Sequence, residues 1–136
     1  MKKISENIWE FDPQVYPQLL WVAVNPTDDE IKNFVTTYNN EEKNLILDFT
    51  SSHAVVHHVH LKDNPDTGSI IAFKNKEELN FKIVTHEAVH VVNNVYMVCH
   101  IDHNLNNDEP TAYLAGWVAD CCDKVKNEIE NGNRTM

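Results

Sequence analysis

The side chains best suited to chemistry lie in one short stretch, where His86 and His90 flank Glu87 in the pattern H-E-x-x-H. On an α-helix, residues four apart lie on one face, so the two imidazoles can reach one metal ion. Catalytic zinc commonly takes three protein ligands and keeps a fourth position for water, whose pKa falls towards neutrality. Glu87 would then lie beside the metal as a general base for that water. The stretch therefore predicts one zinc site that supports hydrolysis.

A third ligand must come from elsewhere in the chain, and Glu109 is the best candidate. It lies in the first turn of a predicted last helix, which a short polar turn would bring back antiparallel to the H-E-x-x-H helix. Glu109 shares a face with Ala112 and Gly116, and a glycine inside a helix suggests the close approach of another backbone. Two alternatives stay open. Glu109 could be only a first-turn acid stabilised by the helix dipole, and its neighbour Asp108 could be the ligand or the cap.

The elements that must position these residues indicate an α+β domain with a small mixed sheet of about four strands. Thr27 and Glu30 form a capping box, which starts a helix between two predicted strands. The first 50 residues are therefore predicted to form a βαβ unit with two parallel strands. Turn chemistry at 63–68 predicts a hairpin from the two strands around it. The predicted strands lie at 20–24, 45–49, 55–62 and 69–73, and the predicted helices at 27–39, 76–99 and 108–131.

The 136 residues fit a single domain that spans positions 1–136. Residues 5–20 are predicted to form an extended arm, since Pro13 and Pro17 disfavour a helix, and the tail 132–136 is expected to fray. The arm is expected to pack onto the domain through its apolar and aromatic side chains, which are Ile8, Trp9, Phe11 and Tyr16.

The composition excludes several classes of partner. A formal charge of −10 with only eleven Lys and Arg argues against nucleic-acid binding. No apolar run is long enough to span a membrane, and no signal-peptide h-region follows Met1, so we expect a soluble cytoplasmic protein without a membrane partner. Cys99, Cys121 and Cys122 lack C-x-x-C spacing and are expected to be reduced, buried thiols.

The motif and its spacing resemble those of a known family. His86-Glu87-x-x-His90, followed after eighteen residues by Glu109, resembles the H-E-x-x-H…E arrangement of the gluzincin branch of zinc metallopeptidases. The resemblance implies that His86, His90 and Glu109 bind zinc, and that Glu87 activates a water for attack on a peptide carbonyl. It also implies a small, single-domain zincin-like fold, in which an edge strand holds a peptide or protein substrate by strand addition.

The family pattern leaves two roles to be assigned. Gluzincins often place an Asp four positions after the glutamate ligand, but Tyr113 stands there, so Asp120, Asp102 or a backbone carbonyl would have to orient the ligand imidazole. Family members also use a Tyr or His to stabilise the oxyanion, and we assign this catalytic role to Tyr113. The alternative for Tyr113 is a position in the hydrophobic core. The donors available in this chain are Tyr113, Tyr96, His103 and His60.

A second group of histidines lies on the predicted strand 55–62 and just before it. By strand alternation His58 and His60 share one face, and His57 points the other way. Such a pair could chelate a metal, or it could simply be polar residues on a strand that faces solvent or the cleft. His53 completes this group, and His100, which follows the motif helix, is expected to interact with the helix dipole.

Three functions are compatible with these residues. The first is a zinc metallopeptidase in which Glu87 acts as the base. The second is a zincin-fold zinc-binding protein that is catalytically weak or inactive and serves as a binding module, which the small size and the absent family Asp favour. The third is a hydrolase that acts on a non-peptide amide.

Overall fold

The computed structural model shows an α+β domain built on a six-stranded mixed sheet, and it describes residues 1–37, 45 and 47–134. A short 3-10 helix, Lys76–Glu78, precedes the second α-helix. The strands are β1 (Lys2–Ser5), β2 (Ile8–Phe11), β3 (Leu19–Val24), β4 (Val35–Thr37), β5 (Ala54–Leu61) and β6 (Thr67–Phe73), and the helices are α1 (Asp28–Phe34), α2 (Phe81–Val98) and α3 (Glu109–Arg134).

The strand order is β1-β2-β3-β6-β5-β4, and only β3 and β6 run parallel. The mixed character matches the prediction, but the sheet has six strands rather than about four. Two extra strands lie at the N-terminus, where β1 and β2 form a hairpin; β2 lies within the predicted arm and pairs with β3. Ile8, Trp9 and Phe11 are buried as predicted, because they lie on a paired strand.

The prediction of a parallel βαβ unit in the first 50 residues is wrong. The capping box of Thr27 and Glu30 is present, but α1 ends at Phe34, and residues 35–37 of the predicted helix form β4. The run Val35-Thr36-Thr37 is β-branched, and it pairs antiparallel with β5. The end of the predicted helix, residues 38 and 39, lies outside the described residues. In the strand predicted at 45–49, residue 46 also lies outside them, and the described residues 45 and 47–49 form no strand.

The sheet is covered on both faces, which explains why its central strands are continuous apolar runs. Leu20, Val22 and Val24 of β3 point into a core shared with α2 and α3. The alternate residues Trp21 and Ala23 point to the other face, where α1 covers them. The predicted hairpin is confirmed, since β5 and β6 pair antiparallel along their whole length.

The helix that carries the motif starts later than predicted. Asn75 caps only the 3-10 helix, and the side chain of Asn80 then accepts a hydrogen bond from the Ile83 amide at the start of α2. At the other end, His100 takes a left-handed conformation with φ of 56° just after the helix. The α-helix therefore covers 81–98 of the predicted 76–99.

The two long helices lie side by side over different parts of the sheet. α2 contacts β5 and β6, whereas α3 contacts α2 and β3. α3 packs through Leu114, Val118 and Cys122, which are all buried. The close backbone contact predicted at Gly116 is not formed, because a Cβ placed there would meet no atom within 4 Å. All three cysteines are free, and no described helix has the length and apolarity needed to cross a bilayer.

Candidate metal centre

His86 and His90 face each other one turn apart on α2, with their Nε2 atoms 3.2 Å apart. Both side chains are exposed, and their ring centroids are 5.0 Å apart. Two zinc–nitrogen bonds of about 2.0–2.1 Å at a tetrahedral angle would place the two nitrogens about 3.3–3.4 Å apart. The spacing of the pair therefore fits two ligands of one zinc ion.

Glu87 lies beside the pair but is turned inwards, and its side chain is 6% exposed. Burial raises the pKa of its carboxyl group above the ordinary value, and the nearby His86 and His90 only partly counteract this effect. A carboxylate that is partly desolvated binds a proton more readily than one in water. Glu87 thus has the environment of a general base.

The three residues line a cavity of about 380 Å³ between α2 and β5. Four consecutive residues of the strand, 54–57, line its other wall. Because consecutive residues point to opposite faces of a sheet, the cavity must meet the edge of β5 rather than one face. β4 pairs with β5 only at Val59–Leu61, so no described strand pairs with this edge at 54–57.

Asn94 extends the motif row by one further turn and lines the same cavity. Its Nδ2 donates a hydrogen bond of 3.2 Å to the Oγ of Ser69 on β6. Sequence analysis missed this residue, although the spacing 86, 90 and 94 continues one helical row and could have revealed it.

Glu109 is not brought to the histidine pair. Phe81, Val84 and Thr85 of α2 line one cavity together with α3, whereas the histidines line a different cavity beside β5. Thr111 at the start of α3 donates a hydrogen bond of 3.0 Å to the hydroxyl of Tyr96. Tyr96 lies six residues after His90 on α2, which is about 9 Å along the helix axis. Glu109 precedes Thr111 and is exposed near this far end of α2. The predicted geometry of the third ligand is therefore absent.

The residues assigned to the oxyanion also lie elsewhere. Tyr113 is 76% exposed and does not line the cavity, so its predicted catalytic position is not formed. Tyr96 is buried near the start of α3, and His103 interacts with Asn93 at 2.8 Å. The Nδ1 of His60 lies 3.1 Å from the carbonyl oxygen of Leu61.

Three further predicted candidates have other partners. Asp120 forms an ion pair with Lys124 on the surface of α3, with an N–O distance of 3.2 Å. The Nε2 of His58 lies 3.1 Å from Oε1 of the buried Gln18. Burial lowers the pKa of His58, and the nearby His60 lowers it further. His53 lies 3.0 Å from Glu78.

Within the part of the chain that the structure describes, no group of three or more His, Cys, Asp or Glu side chains is placed to hold a metal ion. The site consists of two convergent imidazoles, one buried carboxylate and an open strand edge. No family model, no curated protein and no solved structure matches this chain.

Proposed function

We propose that the protein is a zinc-dependent hydrolase that cleaves peptide bonds in the cavity between α2 and β5. The observation that carries this proposal is the 3.2 Å spacing of the His86 and His90 Nε2 atoms, with Glu87 lining the same cavity. Two imidazoles at this spacing can hold a metal ion, and a partly desolvated carboxylate beside them can act as a general base.

Each of the three residues has a separate role in this proposal. His86 and His90 hold the metal through Nε2. A zinc ion bound there would polarise the scissile carbonyl and make a bound water acidic. Glu87 accepts a proton from the attacking water and then donates it to the leaving amine.

The strand edge supports a peptide as the substrate. At 54–57 the outer edge of β5 has no partner strand among the described residues, and it forms a wall of the cavity that contains the histidines. An extended peptide can add to such an edge through main-chain hydrogen bonds. A chain bound in this way passes His86 and His90.

Zinc analysis and hydrolysis of an unfolded protein such as casein test the proposal. The purified protein should bind one zinc ion, and Glu87→Gln should keep the zinc but lose hydrolysis. Glu130→Gln, which changes an exposed glutamate on α3, serves as the control and should retain both. Full hydrolysis by Glu87→Gln, or by the zinc-free protein, would contradict the proposal.

A second candidate is a zinc-binding protein without catalysis. The ligand set favours it, because no third His, Cys, Asp or Glu side chain among the described residues joins His86 and His90 to hold a metal. Removal of zinc with a chelator separates the two functions. If the zinc is catalytic, its removal should abolish hydrolysis while the protein stays folded. If the zinc is structural, its removal should unfold the protein.

A further inference from the structure

The amide of Asn94 is hydrogen-bonded to the sheet next to the proposed site. Its Nδ2 donates to the Oγ of Ser69, which is only 2% exposed on the central part of the sheet. This hydrogen bond uses one N–H of the Asn94 amino group, and the carbonyl oxygen at the other end of the amide is an acceptor. No described residue donates a hydrogen bond to Oδ1, and Asn94 lines the cavity.

Asn94 lies at a defined distance from the histidine pair. It is four residues after His90 on α2, which corresponds to about 6 Å along the helix axis. One residue of an extended peptide spans about 3.3 Å. A group at Asn94 can therefore contact a peptide one or two residues from the bond held at the histidines.

We propose that Oδ1 of Asn94 accepts a hydrogen bond from a main-chain N–H of the bound peptide, one or two residues from the scissile bond. This inference rests on the proposed function and adds a contact from the helix to those from the edge of β5. Ser69 acts through Asn94 as a positioning residue, because its hydroxyl holds the amide through Nδ2.

The proposed contact defines the class of substrate. An amide oxygen that binds a main-chain N–H recognises any residue except proline, which lacks that group. Peptides with proline at the position facing Asn94 should therefore be poor substrates, whatever their other side chains. The site would select an extended polypeptide backbone rather than a particular side chain.

Peptides methylated at a single backbone nitrogen provide the test. The probe is a short fluorescein-labelled peptide of alanine, threonine and lysine, and binding to zinc-loaded protein is followed by fluorescence anisotropy. The Glu87→Gln background prevents cleavage during the measurement. N-methylation at one position should weaken binding by about 3- to 10-fold, the value of one neutral hydrogen bond.

Variants of Asn94 assign this loss to the proposed contact. In Asn94→Ala the unmethylated peptide should bind about 3- to 10-fold more weakly, and methylation at that position should cost nothing further. Asn94→Asp keeps an acceptor oxygen and should restore the sensitivity to methylation, whereas Ser69→Ala should reduce it. Asn127→Ala, an exposed asparagine on α3, is the control and should behave like the parent protein.

The outcomes separate this contact from the proposed reaction. If Asn94→Ala keeps the full methylation penalty, or binds the unmethylated peptide as tightly as the parent, the contact does not exist. If the methylation pattern follows Asn94 but no peptide is cleaved, the contact stands and the proposed hydrolysis fails. Zinc content should be the same in every variant, since loss of zinc from Asn94→Ala would assign this residue to the metal instead.

Discussion

Gly68 lies so close to Leu19 that a Cβ added to the glycine would be 2.0 Å from the Leu19 carbonyl oxygen. These two residues form the first register pair of β3 and β6, the parallel strands at the centre of the sheet. Only a residue without a side chain fits here. The helix and the strand edge that form the candidate site both depend on this pairing.

Gly68→Ala should therefore destabilise the protein by about 2 kcal/mol or more, because overpacking against backbone cannot be relieved by a rotamer change. The measurement is urea-induced unfolding followed by circular dichroism. Gly116→Ala is the matched control, and it should stabilise the protein by about 0.5–1 kcal/mol, since a Cβ on this exposed helical glycine meets no neighbour. Equal effects of the two substitutions would contradict the close contact.

Glu30 connects the β1–β2 hairpin to the start of α1. Burial alone would raise its pKa, but hydrogen bonds from Ser5, Asn7 and Thr27 outweigh that effect and lower the pKa to about 2. Since the pKa is lower in the folded state, the carboxylate stabilises the protein above about pH 4.5, and this contribution is lost as the pH falls towards 2.

Glu30→Gln should thus lower the free energy of unfolding by about 1–2 kcal/mol at pH 7. This value is small because solvent screens a partly exposed carboxylate. Urea unfolding at pH 7 and pH 3 measures the difference from the unmodified protein, which should shrink at the lower pH. Glu130→Gln should show no such dependence. A constant difference at both pH values would remove the ionised carboxylate as the cause.

His100 occupies a backbone conformation that suits glycine. Its φ of 56° ends α2, and the following Ile101 amide donates a hydrogen bond of 2.8 Å to the Tyr96 carbonyl oxygen. His100→Gly should raise the free energy of unfolding by about 0.5–1 kcal/mol, because the left-handed conformation disfavours a residue with a Cβ. Thermal unfolding measures the change. His53→Gly has no positive φ to relieve and should lower the stability instead.

His90→Ala should weaken zinc binding by at least about 100-fold, because it removes one of two convergent imidazoles. Glu109→Gln should leave the zinc affinity unchanged, because Glu109 lies near the far end of α2. Competition with a chromogenic chelator measures both, and His53→Ala is the control for loss of a histidine outside the cavity. A large loss of affinity in Glu109→Gln would favour the gluzincin ligand set over the arrangement described here.

The parts of the site that depend on one helix could be predicted from the sequence. The i, i+4 spacing alone brings His86 and His90 together, and it needs no knowledge of the fold. Glu109 is different, because its position depends on which flank of α2 receives α3. The buried side chains between the helices decide that flank, and the sequence pattern of α3 does not reveal where its partner lies.

The sheet shows the same division between local and long-range information. The hairpin of β5 and β6 is confirmed because turn residues separate two β-branched runs that are adjacent in sequence. The strands β1, β2 and β4 were missed because each has only three or four residues, too few to show a period. The partner of β4 is also distant in sequence, since β4 ends at Thr37 and β5 begins at Ala54.

The parallel pair at the centre of the sheet also constrains the order of folding. Gln18 and Thr67, which are hydrogen-bonded beside this pair, are 49 positions apart, whereas β5 and β6 are joined by a short turn. Closing the longer loop costs more chain entropy before any contact repays it. We therefore expect the β5–β6 hairpin to form before β3 docks on it.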